Sequence, residues 1–197
     1  MDIQIDISNI ILETERLILR QWKESDLEDF YEYASVPGVG EMAGWHHHES
    51  RETSQKILDS FIKEKHVFAV VCRKSQKVIG SLGLHPSWAN EEEVYKHLRQ
   101  KEIGYVLSKA YWGMGLIPEA VGKVLEYCFE NLDLEAVTVG HFKSNDQSRR
   151  VIEKCGFRFV KTDTFEAKQL GKAFENLNYI LLRDEWRGRD SRTISIS

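Results

Sequence analysis

The sequence predicts an α/β (α+β) fold around one sheet of mixed strand direction, and three observations lead there. Two apolar runs, Val67 to Cys72 and Lys77 to Leu84, flank the polar turn Arg73-Lys74-Ser75-Gln76, as an antiparallel hairpin requires. Segments with helical spacing are interleaved with strand-like ones along the whole chain. Toward the C-terminal half, a strand, a glycine loop, a helix and a further strand follow one another, the order of a parallel unit. With 197 residues, 42% hydrophobic, 29% charged, 3 prolines and 13 glycines, the composition is that of one globular domain. A chain of this length buries roughly 70% of the surface it exposes when unfolded, so no disulfide or structural metal is needed.

In order, Ile3, Ile5 and Ile7 alternate with polar residues, as do Leu17 and Leu19 within Glu15 to Arg20, predicting two opening strands. Ser25 and Asp26 are helix-capping types, and Leu27, Phe30, Tyr31 and Ala34 follow at helical spacing until Pro37-Gly38. A loop with Gly40, Gly44, Trp45 and three consecutive histidines leads to a second helix over Ser50 to Lys65, with Ile57, Leu58, Phe61 and Ile62 on one face. The hairpin comes next, then a charged excursion from Asn90 to Arg99 and a strand from Glu102 to Leu107. A long helix begins near Leu116, since Leu116, Ala120, Val121, Val124, Leu125, Cys128 and Leu132 recur at three and four. Leu134 to Val139 reads as a strand, Asn145 to Lys154 as a helix stopped by Gly156, and Phe157 to Thr162 and Leu177 to Leu182 as strands; Arg187 to Ser197 reads as a polar tail.

Charge and cysteines narrow the function. Twenty-seven basic against thirty-one acidic residues give a net charge of -4, which disfavours binding nucleic acid through a basic surface. Cys72, Cys128 and Cys155 are too few and too scattered for a disulfide framework or a metal knuckle. No apolar run approaches the ~18 residues of a membrane span, and MDIQIDISNI lacks the layout of a signal peptide, so a soluble cytoplasmic protein is expected. His46-His47-His48 invites a metal reading, but neighbouring loop residues seldom face one ion and no zinc spacing accompanies them; no metal is expected.

Chemistry concentrates at Tyr111-Trp112-Gly113-Met114-Gly115-Leu116-Ile117-Pro118. Free N–H groups and the dipole of a helix N-terminus suit an anion, glycines let a phosphate approach, and Pro118 costs nothing in a first turn. A tight corner without a ligand is the plain alternative. A P-loop lysine and the third glycine of a dinucleotide fingerprint are both missing.

Together with three other segments, this loop resembles the GNAT acetyltransferase superfamily, in particular its branch of ribosomal-protein alanine N-acetyltransferases. The other segments are Thr14 to Arg20, Glu102 to Leu107, and Asn145, Ser148 and Arg149 with Glu153-Lys154-Cys155-Gly156-Phe157. The resemblance spans about residues 14–185 of a single domain. It implies a strongly twisted mixed sheet of six to seven strands with about four helices, whose fourth and fifth strands, here Glu102 to Leu107 and Leu134 to His141, splay to admit acetyl-CoA. Tyr105, Val106, Leu107, Trp112, Gly113, Met114, Gly115, Leu116, Ile117, Asn145, Ser148 and Arg149 would then face the cofactor.

Many family members protonate the departing thiolate with a tyrosine at the position held here by Ile152, and the resemblance transfers that role to Ser148; bonding the backbone of its own first turn is the alternative. Asn145 is also a helix cap by type, and Arg149 and Arg150 are placed either for the 3'-phosphate or on a solvated face. Glu102 is the first candidate base and His141 the second, each with a structural alternative. Met42, Trp45, His48 and Trp88 would meet the acceptor. An acetyl-CoA-dependent N-acetyltransferase acting by direct transfer to a primary amine, without metal, is therefore expected. The alternative is an acyl-CoA sensor without turnover. A homodimer is compatible with the family.

Overall fold

The computed structural model describes residues 1–193, and an eight-stranded mixed sheet runs through it in the order β1-β2-β3-β4-β5-β6-β8-β7. The strands are β1 (Leu12–Glu13), β2 (Leu17–Gln21), β3 (Val67–Cys72), β4 (Val78–His85), β5 (Gln100–Leu107), β6 (Ala136–Phe142), β7 (Arg158–Ala167) and β8 (Lys172–Leu182). The helices are α1 (Leu27–Ala34), α2 (Arg51–Glu64), α3 (Leu116–Glu126), α4 (Asp146–Cys155) and α5 (Arg183–Thr193). All neighbouring strands are antiparallel except β5 and β6, which run parallel. Among the described residues, no helix is long and apolar enough to cross a membrane.

Two apolar layers follow from strand alternation. Leu17, Leu19, Phe68, Leu82, Leu84, Ile103, Val137 and Val139 point to one face, where Leu116, Ala120, Val121 and Val124 of α3 and Ile152 of α4 cover them. Ala69, Val71, Val78 and Val106 point to the other, under Phe30 and Tyr33 of α1 and Leu58, Ile57 and Phe61 of α2. A buried ion pair anchors α1 to β2: Arg20 meets both carboxylate oxygens of Asp26, at 2.8 and 2.9 Å, and Asp26 also accepts the Lys23 N–H. Asp26 is thus committed to Arg20 rather than to capping the helix.

β5 and β6 pair only from Gln100 with Ala136 to Ile103 with Val139. Beyond that point β5 stays bonded to β4 as far as Leu107, and β6 to β8 as far as Phe142, so the two strands part while their outer edges are held. The expected splay is present.

The structure departs from the sequence reading in four places. Ile3 to Ile7 form no strand; Ile5 and Ile7 are buried against the first layer, so their alternation reports one-sided packing. The last two strands are longer than expected, forming a hairpin that runs from Arg158 to Leu182. The polar segment from Arg187 belongs to α5 through Thr193, and its last four residues lie outside the described residues. Among the described residues, eight strands and five helices replace the expected six to seven and four.

Replacing Asp26 with Ala strands the Arg20 guanidinium and should lower unfolding stability by about 3 kcal/mol in a urea titration.

Candidate active site

One cavity of about 990 Å³ passes through the gap where β5 and β6 part, and its two ends differ in chemistry. At one end lie the N-termini of α3 and α4, with Gly113, Gly115, Leu116, Ile117, Asn145, Ser148, Arg150 and Lys154. At the other, Phe30, Trp45, His48, Ile57 and Phe61 from α1, α2 and the loop between them face Gly83, His85, Glu102 and Gly104 of β4 and β5.

The end at the glycine loop is built by backbone. Gly113 and Gly115 have φ of 77° and 74°, a left-handed conformation that side chains resist, and this turns the chain so that α3 starts without a side-chain cap. The first-turn N–H groups therefore face the cavity without helical acceptors. Arg16 holds the loop from behind: its guanidinium donates to the carbonyls of Met114 at 2.8 Å and Gly115 at 3.3 Å, while Glu119 takes its Nε–H at 2.6 Å. With the carbonyls fastened outward, the loop offers donors inward. At α4, Asn145 caps the helix by accepting the Ser148 N–H, and its own amide donates to the Met42 carbonyl, tying this end to the loop after α1.

Ser148 does not spend its hydroxyl on the backbone of its own turn. It lies 2.8 Å from the Tyr105 hydroxyl, which reaches it from β5. Burial holds the Tyr105 phenol above its ordinary pKa against the opposing effect of that bond, so the pair keeps its protons. Ile152, which holds the position of the tyrosine found in many family members, is buried in the core. The sequence reading placed Tyr105 by its backbone and missed its hydroxyl; strand alternation, which puts Tyr105 opposite in facing to Glu102, was the available signal.

On the other face, β4 and β5 set His85 opposite Glu102 and Gly83 opposite Gly104. The paired glycines leave bare backbone, and the His85 ring lies over them, since a Cβ on Gly83 would meet its Nε2 at 2.3 Å. Glu102 accepts the Trp88 N–H at 3.2 Å. Burial raises its carboxyl to about 7, with that bond pulling down and the Asp163 charge pushing up. His85 is lowered to about 4, first by burial and then by the nearby His66 and Lys101 charges, so it is neutral at physiological pH.

His141 lines the cavity, but Nδ1 faces the Phe142 carbonyl at 2.8 Å and Nε2 the Tyr179 hydroxyl at 3.2 Å; both nitrogens are engaged. His48 is pinned likewise to Ser54 at 2.7 Å. Val106, Leu107, Trp112 and Met42 line the wall, Trp112 fixed by its indole N–H on the Leu107 carbonyl. Three expected residues do not line it. Met114 is 55% exposed, Arg149 pairs with Asp146 and Glu153 along α4 while Arg150 takes the wall, and Trp88 packs outside against Tyr95 beneath Lys161. Glu41, His46 and His47 cluster in the loop, with Glu41 accepting from the His47 ring at 2.7 Å. Burial opposes ionisation of Glu41, but that bond and backbone N–H groups outweigh it and hold the carboxyl at about 2, as a clasp.

The Acetyltransferase (GNAT) domain family matches residues 16–158. The chain belongs to the GNAT acetyltransferase family. Its relatives include the uncharacterised N-acetyltransferase YoaA of Bacillus subtilis (strain 168), 32% identical over 153 residues that cover 75% of this chain and 82% of that one. Among solved structures, a GNAT-family acetyltransferase from Bacillus anthracis superposes with a TM-score of 0.77 at 21% identity, covering 89% of this chain and all of that one. The spermidine N-acetyltransferase of Vibrio cholerae, solved with CoA and spermine, gives a TM-score of 0.70 at 18% identity over 88% of this chain and 99% of that one. These last two likenesses support the fold. As a GNAT protein the chain is an acyltransferase, of a family that uses acetyl-CoA.

The folded protein holds the Glu102 proton more tightly than the unfolded chain does, so stability is lost as pH rises from the ordinary carboxyl range through about 7. Glu102→Gln should therefore raise unfolding stability at pH 8 by up to roughly 3 kcal/mol, a gain that thermal melts should find shrinking toward pH 4.

Proposed function

We propose that the protein transfers the acetyl group of acetyl-CoA to a primary amine by direct attack in a ternary complex. The observation that carries this reading is a carboxyl titrating near neutrality in the wall of a cavity whose far end is lined by two helix N-termini, Arg150 and Lys154. A pyrophosphate suits the α3 end, where N–H groups, dipole and glycines converge. Residues Gly104 to Leu107, released from β6, supply backbone groups along the gap for an amide-bearing arm and for the thioester oxygen.

An amine arriving as an ammonium must lose one proton before it can attack, and Glu102 is placed to pass that proton to solvent. The C–N bond then forms and the C–S bond breaks. The nitrogen's second proton leaves as the tetrahedral adduct collapses, balancing the one that Ser148, backed by Tyr105, gives to the sulfur. The sum is ammonium plus thioester giving amide, thiol and one proton. None of the three cysteines lines the cavity, which supports transfer without a covalent acetyl-enzyme. The reading of an acyl-CoA sensor rested on Ile152 and loses its ground, because the Tyr105–Ser148 pair supplies hydroxyls from another strand and helix.

Two kinetic outcomes test the proposal. kcat/KM should climb about tenfold per pH unit and bend near pH 7, and Glu102→Gln should remove this bend while keeping the limb set by the amine's own ionisation. Arg16→Ala frees the loop carbonyls and should raise KM for acetyl-CoA about tenfold, equivalent to ~1.4 kcal/mol, with Arg16→Lys intermediate because one ammonium cannot span both carbonyls and Glu119.

A further inference from the structure

Resting on the transferase reading, we infer that the acceptor is an arylalkyl monoamine: one primary ammonium carried a short chain away from a single aromatic ring. The charge inventory of the cavity is the first ground. Glu102 is the one aspartate or glutamate among the described residues that line it, and its cations, Arg150 and Lys154, belong to the α4 end. One carboxylate neutralises one ammonium. A second ammonium on the same molecule would leave water for a wall that offers no second anion, a transfer that is costly without a partner.

The wall itself is the second ground. Rings run in sequence from the loop into the helices: Trp45 to His48 at 5.1 Å between centroids, His48 to Phe30 at 5.2 Å, and Phe30 to Phe61 at 5.7 Å. Trp45 is packed so closely on Gly40 that a Cβ there would stand 2.2 Å from its ring, so its plane is set before any ligand arrives. His48 is tied to Ser54 and His85 covers the glycine pair, and burial lowers the pKa of both imidazoles. A preset aromatic wall favours a flat apolar body through area and ring geometry. The His85 ring fills the space over the glycine pair, so it adds a flat apolar face beside Glu102 rather than a side-chain stub. Phe61 and Ile57 close the side nearest α2.

The test uses the full chain loaded with CoA, for binding, or with acetyl-CoA, for transfer. Calorimetry measures the affinity of 2-phenylethylamine, tryptamine, spermidine and a tetrapeptide beginning with alanine; thiol release measures acetylation of each. The expected result is that the two aryl amines bind and react at least about tenfold better than spermidine or the peptide. Trp45→Ala should lose about tenfold in aryl-amine affinity and Trp45→Phe should recover most of it, with CoA binding confirming that both variants are folded. Spermidine or the peptide binding as well as the aryl amines overturns the inference, as does CoA binding with no aryl amine bound, and as does Trp45→Ala without effect. Aryl amines that bind but release no thiol overturn the transferase reading and leave the recognition claim standing. Thiol release that favours spermidine does the reverse.

Discussion

The constraint on which the rest of the structure depends is the end of pairing between β5 and β6 after Ile103 and Val139. In an uninterrupted sheet the backbone groups of Gly104 to Leu107 would be satisfied by a neighbour. An unpaired buried backbone group costs on the order of 1–3 kcal/mol, so the gap is tolerable only where the strands are secured on their other edges and the freed groups meet water or a ligand. β4 and β8 provide that security to the last residue of each strand. The cavity is thus a consequence of sheet topology, and the glycine loop, α4 and the loop after α1 are arranged around its two mouths.

Its ends differ because two opposite faces of the same strand address them. Tyr105 looks toward α4 and meets Ser148, while Glu102 and Gly104 look toward α1 and α2. The Tyr105 hydroxyl and the Glu102 carboxyl thus belong to opposite faces of one strand, in environments that push the carboxyl toward neutrality and keep the phenol protonated. Remote residues hold the arrangement. Arg16 fastens the loop carbonyls, and Asn145 joins the cap of α4 to Met42 in the loop whose Trp45 forms the aromatic wall.

Much of this was legible in the chain because the determining signals are local. Gly113 and Gly115 ahead of a periodic apolar helix announce a loop with positive φ, and Asn145 three residues before Ser148 announces a cap. Glu102 could be placed on a strand face by alternation alone. What escaped depended on partners distant in sequence. Nothing near Tyr105 points to Ser148, 43 residues away, and nothing near Arg16 points to Gly115, 99 away. The hairpin of β7 and β8 was cut short because its outer half is exposed on both faces and has little alternation, apart from the Phe165–Phe174 pair. Ile5 and Ile7 misled in the opposite sense, since burial on one side produces alternation with or without a ladder. Arg149 and Arg150 were indistinguishable by type; helix phase sends only the second to the cavity.

The central claim is that acetyl-CoA lies along the freed backbone of β5 with its phosphates on the glycine loop. Hydrogen exchange followed by mass spectrometry, with and without acetyl-CoA, reads this directly. Slower exchange should concentrate in residues 104–107 and 113–117, with little change in the β2–β3 and β7–β8 pairings. Protection elsewhere with residues 104–107 unaltered, or no protection at saturating acetyl-CoA, would contradict it.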